Sequence, residues 1–152
     1  MAHKQFYFED VEVGFAIPAL EKHPTTQQLV KYAGASGDFY QIHYDKDFAL
    51  KNHLPGVILH GALKNAFLGQ LMTDFAGDLG WLRKLSVQYR GMDQPGTPVV
   101  CKGKVVKKYV DGGKPSVDCE SGPRPTANGS PGSARFCPPS IIVPSPMCSI
   151  SV

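Results

Sequence analysis

The stretch "GASGDFYQIHYDKDFA", residues 34–49, sets a carboxylate, Asp38, five positions before an imidazole, His43. Two proton-handling groups therefore share one short loop, where their side chains can converge on a point. A carboxylate and an imidazole facing one water molecule are what addition of water across a polarised double bond requires. One group takes the water proton, while the protonated form of a partner gives a proton to the carbon. A structural Asp–His hydrogen bond has the same spacing, so the pair alone leaves both readings open.

A second feature, "LHGAL", puts His60 and Gly61 at the start of an apolar stretch. The N–H groups of a first helical turn lack internal partners and point outward with the positive end of the dipole, which suits an oxyanion. Gly61 lets a carbonyl oxygen approach closely, or simply lets the helix pack tightly. His60 beside it reads as a helix-start or core histidine.

These residues need elements to hold them. "HPTTQQLVKYAGAS" predicts a short helix capped by Thr25 and stopped by its glycines at the signature. Asp45 is an N-cap for a second short helix that Asn52 or Pro55 ends. In "VILHGALKNAFLGQLMTDFAG", Leu63, Phe67, Leu71 and Phe75 recur every four residues, and Leu59, Ala62, Ala66, Leu68 and Met72 widen the apolar surface. A helix over 59–75 that apolar is enclosed by other structure. Upstream, "FYFEDVEVGFAI" predicts an extended segment with a turn at Gly14. Downstream, "WLRKLSVQYRGMDQPGTPVVCKGKVVKKYV" predicts two consecutive antiparallel strands around a Gly/Pro turn, and "VDGGKPSVDCE" adds a Gly-Gly turn and a returning strand. Helices followed by successive strands make an α+β order.

The composition changes after Glu120. Residues 121–152 hold seven of the 13 prolines and seven serines but no Asp or Glu, which predicts no regular strand or helix there. The hairpin is interrupted. The expectation is one domain over 1–120 followed by an aberrant stretch over 121–152. That stretch is either a disordered Pro/Ser-rich tail or the product of a frameshift near codon 121, because a neighbouring reading frame can encode a strand, an Asp-Gly turn and a strand.

The chain has 152 residues, 42% of them hydrophobic and 19% charged, with a net charge of +3. That suits one soluble globular unit. No apolar run reaches a membrane span, and the start lacks a basic head followed by an apolar core, so the expected home is cytoplasmic, without a membrane partner. Scattered lysines form no phosphate-tracking stripe, so nucleic acid is not an expected partner. Cys101, Cys119, Cys137 and Cys148 show no metal-finger spacing and read as reduced thiols. His23, His43, His53 and His60 lack the spacing that puts two ligands on one helical face, so no metal is expected.

"SGDFYQIHYDKDFA" followed by "LPGVILHGAL" resembles the signature of MaoC-like (R)-specific enoyl-CoA hydratases. In that signature Ser/Thr-Gly-Asp-x-Asn-Pro-x-His-x-Asp precedes a His-Gly helix start. The resemblance covers most of residues 6–120. It implies a hot-dog fold, an antiparallel β-sheet wrapped around a long central α-helix, and a homodimer or a heterodimer with another hot-dog chain. It implies Asp38 and His43 as the catalytic pair acting on a water, and Gly61 as the backbone donor to the thioester carbonyl, with His60 beside it. The substrate is then an acyl-CoA thioester, with coenzyme A part of the substrate and no separate cofactor.

Two departures bear on substrate. Tyr40-Gln41 replaces the Asn-Pro of the signature, so Tyr40 fills the pocket, binds the water or simply packs. Gly69 stands where relatives often carry a small hydroxyl residue, which implies a wider pocket for a fatty or sterol-like acyl group. Arg83, Lys84 and Arg90 read either as a rim for coenzyme A phosphates or as solvated strand faces. The leading expectation is a hydro-lyase. The alternatives are a non-catalytic hot-dog partner subunit that shapes an acyl pocket, favoured by Tyr40-Gln41, and a hot-dog thioesterase.

Overall fold

The computed structural model describes residues 5–89, 91–124 and 140–142. Strand β1 (Ala16–Lys22) is followed by α1 (Thr26–Ser36), α2 (Lys46–Lys51) and α3 (Gly61–Ala76). Four strands come next: β2 (Trp81–Lys84), β3 (Val99–Asp111), β4 (Lys114–Arg124) and β5 (Ser140–Ile142). The sheet is antiparallel throughout, in the order β1-β3-β4-β5-β2. This is an α+β hot-dog fold, with α3 lying against the sheet.

Local chemistry accounts for each helix boundary. Thr25 Oγ1 accepts the Gln28 N–H at 3.2 Å to open α1, and Gly37 caps its far end. Asp45 Oδ1 accepts the Phe48 N–H at 3.0 Å to open α2, which Asn52 closes. At the tip of the β3–β4 hairpin Gly112 and Gly113 take φ of 57° and 78°, the paired left-handed conformation of a tight two-residue hairpin turn that glycine adopts without strain.

α3 is the core. Leu63, Phe67, Leu68, Leu71, Met72, Phe75 and Ala76 are buried along it. Val99, Cys101 and Val105 of β3 and Val117 and Cys119 of β4 meet it at the two-residue spacing of a sheet's inner face. At Gly103 a Cβ would come within 3.0 Å of Ile17 Cδ1 and 3.3 Å of Met72 Cε, so the bare glycine lets β3 approach both β1 and the helix. Leu68 is 1% exposed; Leu68→Ala is expected to lower stability by about 2–5 kcal/mol, read as a lower urea midpoint at unchanged slope.

Burial pushes the Cys101 and Cys119 thiols up to about 11 and about 12, so neither supplies a thiolate at neutral pH. No helix among the described residues is long and apolar enough to cross a membrane.

Three expectations need correction. Residues 8–10 form a 3₁₀ turn, in which the Asp10 carboxylate accepts the Tyr7 N–H at 3.0 Å, so the first strand begins only after Gly14. β2 and β3 are not neighbours: β2 is four residues long and pairs with β5, while residues 85–89 and 91–98 run without regular structure.

The third concerns the chain beyond Glu120. β4 continues to Arg124 against Val100–Gly103, and Ser140–Ile142 adds β5. Composition taken over the whole stretch missed these because pairing is decided position by position. β5 covers only Ser116–Asp118, so Pro123 lies where that side of β4 has no described neighbour, the place a strand tolerates proline. Residues 125–139 and 143–152, with the tail expected there, lie outside the described residues.

Candidate active site

The loop between α1 and α2 carries both signature residues. After Gly37, the Asp38 N–H is 3.3 Å from Ser36 Oγ, and Asp38 Oδ1 accepts the Tyr40 N–H at 3.3 Å. A 3₁₀ turn over Gln41–His43 then swings His43 inward, and Asp45 starts α2. The loop is tied to the chain ahead of α3, since the Ile58 N–H donates to the Ile42 carbonyl at 3.1 Å. His43 Nδ1 lies 2.8 Å from the Ile58 carbonyl oxygen.

That last contact assigns the tautomer. A carbonyl oxygen only accepts, so Nδ1 carries the hydrogen and the neutral ring keeps a lone pair on Nε2. His43 Nε2 is 3.9 Å from Asp38 Oδ2. This is too long for a direct hydrogen bond and right for a shared water about 2.8 Å from each. The His43 side chain is 8% exposed and that of Asp38 48%, so one member of the pair is sheltered and the other meets solvent.

His60 links them. It is fully buried, its ring stacks on His43 with centroids 3.8 Å apart and planes 22° from parallel, and Tyr32 packs edge-on against it. Its Nε2 is 3.2 Å from the Asp38 backbone carbonyl and donates there, leaving Nδ1 without a partner among the described residues. Burial, reinforced by the neighbouring His43, holds the His60 pKa below 6.5 against weaker opposing effects of Asp38. Between that lowered value and 6.5 the folded chain binds less proton than the unfolded chain, so stability contributed by neutral His60 falls with acidification through that window.

Asp38, His43 and His60 bring ligand atoms within 4.8 Å of one another. Sequence spacing concealed this cluster because the whole of α2 separates His60 from His43 along the chain. The two rings lie nearly parallel, however, so their in-plane lone pairs run side by side instead of converging on one ion. The arrangement suits a water better than a metal.

His60 is also the N-cap of α3, and Gly61 is the first helical residue, so its N–H is one of the free donors of that helix. A Cβ on Gly61 would sit 3.3 Å from the Tyr89 ring. Tyr40, 54% exposed, packs edge-on against His43 and Phe48. With exposed Phe39 and Tyr44 it forms an aromatic rim. Gly69 is not brought to this cluster: it lies two turns along α3, where a Cβ would meet Leu85 Cδ2 at an ordinary 3.8 Å. Arg83 pairs with Asp111 and Lys84 is exposed on β2; Arg90 lies outside the described residues.

Apart from the loop, a cleft of about 200 Å³ lies between β1 and the second half of α3, lined by Phe6, Ile17, Leu20, Leu71 and Phe75 with Asp74 among them. Leu71 is ten residues beyond Gly61, about 15 Å along the axis.

The sequence profile of the MaoC-like domain matches residues 14–120. The chain belongs to the MaoC-like family. No curated protein matches it. Among solved structures it is similar to an (R)-hydratase from A. caviae involved in PHA biosynthesis, with a TM-score of 0.75 and 21% identity over 90% of this chain and 99% of that one. It is also similar to an unliganded (R)-hydratase from Pseudomonas aeruginosa, with a TM-score of 0.76 and 17% identity over 93% and 87%. The ChsH1–ChsH2 complex from Mycobacterium tuberculosis gives 0.74 and 19% over 88% and 98%. At these identities the likeness carries the hot-dog fold, and the MaoC-like signature lies in the α1–α2 loop and at the start of α3.

Proposed function

We propose that this MaoC-like chain is a hydro-lyase that reversibly hydrates trans-2-enoyl-CoA thioesters to (R)-3-hydroxyacyl-CoA. The observation that carries the reading is the 3.9 Å gap between Asp38 Oδ2 and a His43 Nε2 whose lone pair is fixed by the Ile58 carbonyl. A water in that gap donates to both acceptors. His43 Nε2 takes one proton while the water oxygen bonds to the β-carbon. The π electrons move onto the thioester oxygen as an enolate, which the Gly61 N–H stabilises. The imidazolium then returns its proton to the α-carbon, so H and OH have added across the double bond. The step asks for no cofactor beyond the coenzyme A of the substrate.

The direct test follows loss of the conjugated enoyl band when the chain meets crotonyl-CoA and a bulkier enoyl-CoA across a range of pH. Turnover with a bell-shaped pH dependence and no free thiol is expected. Thiol release in place of hydration would instead make it a thioesterase.

A second reading, a partner subunit in a heteromeric dehydratase, is favoured by the half-exposed Asp38 and the Phe39, Tyr40 and Tyr44 rim, a surface suited to cover by a second hot-dog chain. Turnover appearing only when such a chain is added would select it.

A further inference from the structure

Lys64 is the only buried Lys, Arg, Asp or Glu among the described residues. It stands in the first turn of α3, three residues after Gly61, at a position its helical neighbours Leu63, Phe67 and Leu68 make part of the apolar face. Its Nζ donates to the Gly91 carbonyl at 2.7 Å and to Asp93 Oδ2 at 2.9 Å. A buried ammonium is tolerated only when its hydrogens are used. Both acceptors here come from one strap, the described residues 85–89 and 91–98 between β2 and β3, which run without regular structure.

The strap grips the start of α3 at two further points. The Asp93 backbone carbonyl accepts the Leu59 N–H at 2.8 Å, two residues before Gly61. The Tyr89 ring lies over Gly61 itself. Asp93 therefore holds α3 through Lys64 with its side chain and the peptide leading into α3 with its backbone. Between those two anchors lies the His60–Gly61 peptide, whose N–H is the donor of the proposed oxyanion site.

We propose that Lys64 is a positioning residue: its clasp on Gly91 and Asp93 holds the strap against the start of α3 and so fixes the direction of the Gly61 N–H. The proposal rests on the hydratase reading of the site. A donor stabilises developing charge in proportion to how well it is aimed before the reaction, and a misplacement of about 1 Å can cost on the order of 10²-fold. Lys64→Met keeps a long unbranched side chain in the apolar site and removes the clasp, while Asp93, one-quarter exposed, can turn to water. The strap and the Leu59–Gly61 peptide then lose their common anchor.

The test uses the full chain as wild type, Lys64→Met and Asp93→Asn. Each is assayed for hydration of crotonyl-CoA and for binding of a 2,4-dienoyl-CoA, whose near-ultraviolet band moves to the red when its carbonyl is polarised. Wild type is expected to turn over and to shift the band. In Lys64→Met the red shift is expected to disappear and kcat to fall about 10-fold to 100-fold. Its KM and pH profile stay close to wild type, because Asp38 and His43 are untouched. Asp93→Asn, which keeps the backbone bond to Leu59, is expected to lie between the two.

A folded Lys64→Met that keeps both the shift and kcat, with only a lower Tm, overturns the proposal by reducing Lys64 to a fold-stabilising role. If Lys64→Met does not fold, an Asp93→Asn with undiminished shift and kcat overturns it equally. A wild type that neither hydrates nor shifts the band overturns the reading of the site, and this proposal with it; loss of hydration in Asp38→Asn with the shift intact keeps the two ideas separate.

Discussion

Asp38→Asn and His43→Gln are each expected to lower kcat for enoyl-CoA hydration by about 10²–10⁴-fold, the range for losing a positioned acid/base group. Asparagine preserves the shape of the loop, because its carbonyl oxygen can still accept the Tyr40 N–H that Asp38 Oδ1 accepts now at 3.3 Å. It removes the negative charge that draws the proton-donating side of the water. Glutamine at 43 can donate to the Ile58 carbonyl in place of Nδ1–H, but it has no basic nitrogen where Nε2 faces Asp38. Because both groups act on one water in the proposed step, the double variant should lose little more than the worse single one. Thermal unfolding separates this from a folding defect: Asp38 is half exposed, so its substitution should move Tm only slightly. Equal turnover in wild type and both variants would remove the pair from the mechanism.

What could be read in the chain before its structure follows the range over which each interaction acts. Thr25, Asp45 and the Gly112–Gly113 turn work within four residues, and each stands where local chemistry put it. The four-residue apolar repeat of α3 is likewise local, as is the five-residue separation of Asp38 and His43, which the 3₁₀ turn at Gln41–His43 converts into a gap fit for a water.

The contacts that were not legible join distant parts of the chain. Nothing near His60 announces that it stacks on His43, on the other side of α2, or that it donates to the carbonyl of Asp38, which lies further back still. The strap was misread for the same reason. Val87 and Tyr89 have strand character, yet the strap's groups are engaged by Lys64 and Leu59 at the start of α3 instead of by a neighbouring strand. One signal was present: a lysine in the middle of an apolar helical face asks for a buried acceptor. Strand order lies further still from sequence reading, since β2 finds its partner in β5, with all of β3 and β4 between them along the chain.

The proposed oxyanion donor admits a sharper test than a side-chain deletion, because a proline at position 61 removes the N–H and leaves the helix. The first position of a helix is where proline is best accepted, since its missing N–H has no intrahelical acceptor. The residue before it must be extended, and His60 already has φ −57° and ψ 134°. The added ring carbons meet Tyr89, whose ring lies 3.3 Å from a Cβ there and is about half exposed, so it can swing aside. Gly61→Ala introduces the same Cβ and keeps the N–H, and it is therefore the reference. Gly61→Pro is expected to lower kcat by about 10²–10³-fold relative to Gly61→Ala, the loss typical of one oxyanion donor, with a smaller change in KM because the enolate gains more than the ground-state carbonyl. Similar helicity in circular dichroism would confirm that α3 survives in both. Equal kcat in the two folded variants would mean that the thioester oxygen is held elsewhere, and the free end of α3 would then serve the fold and not the reaction.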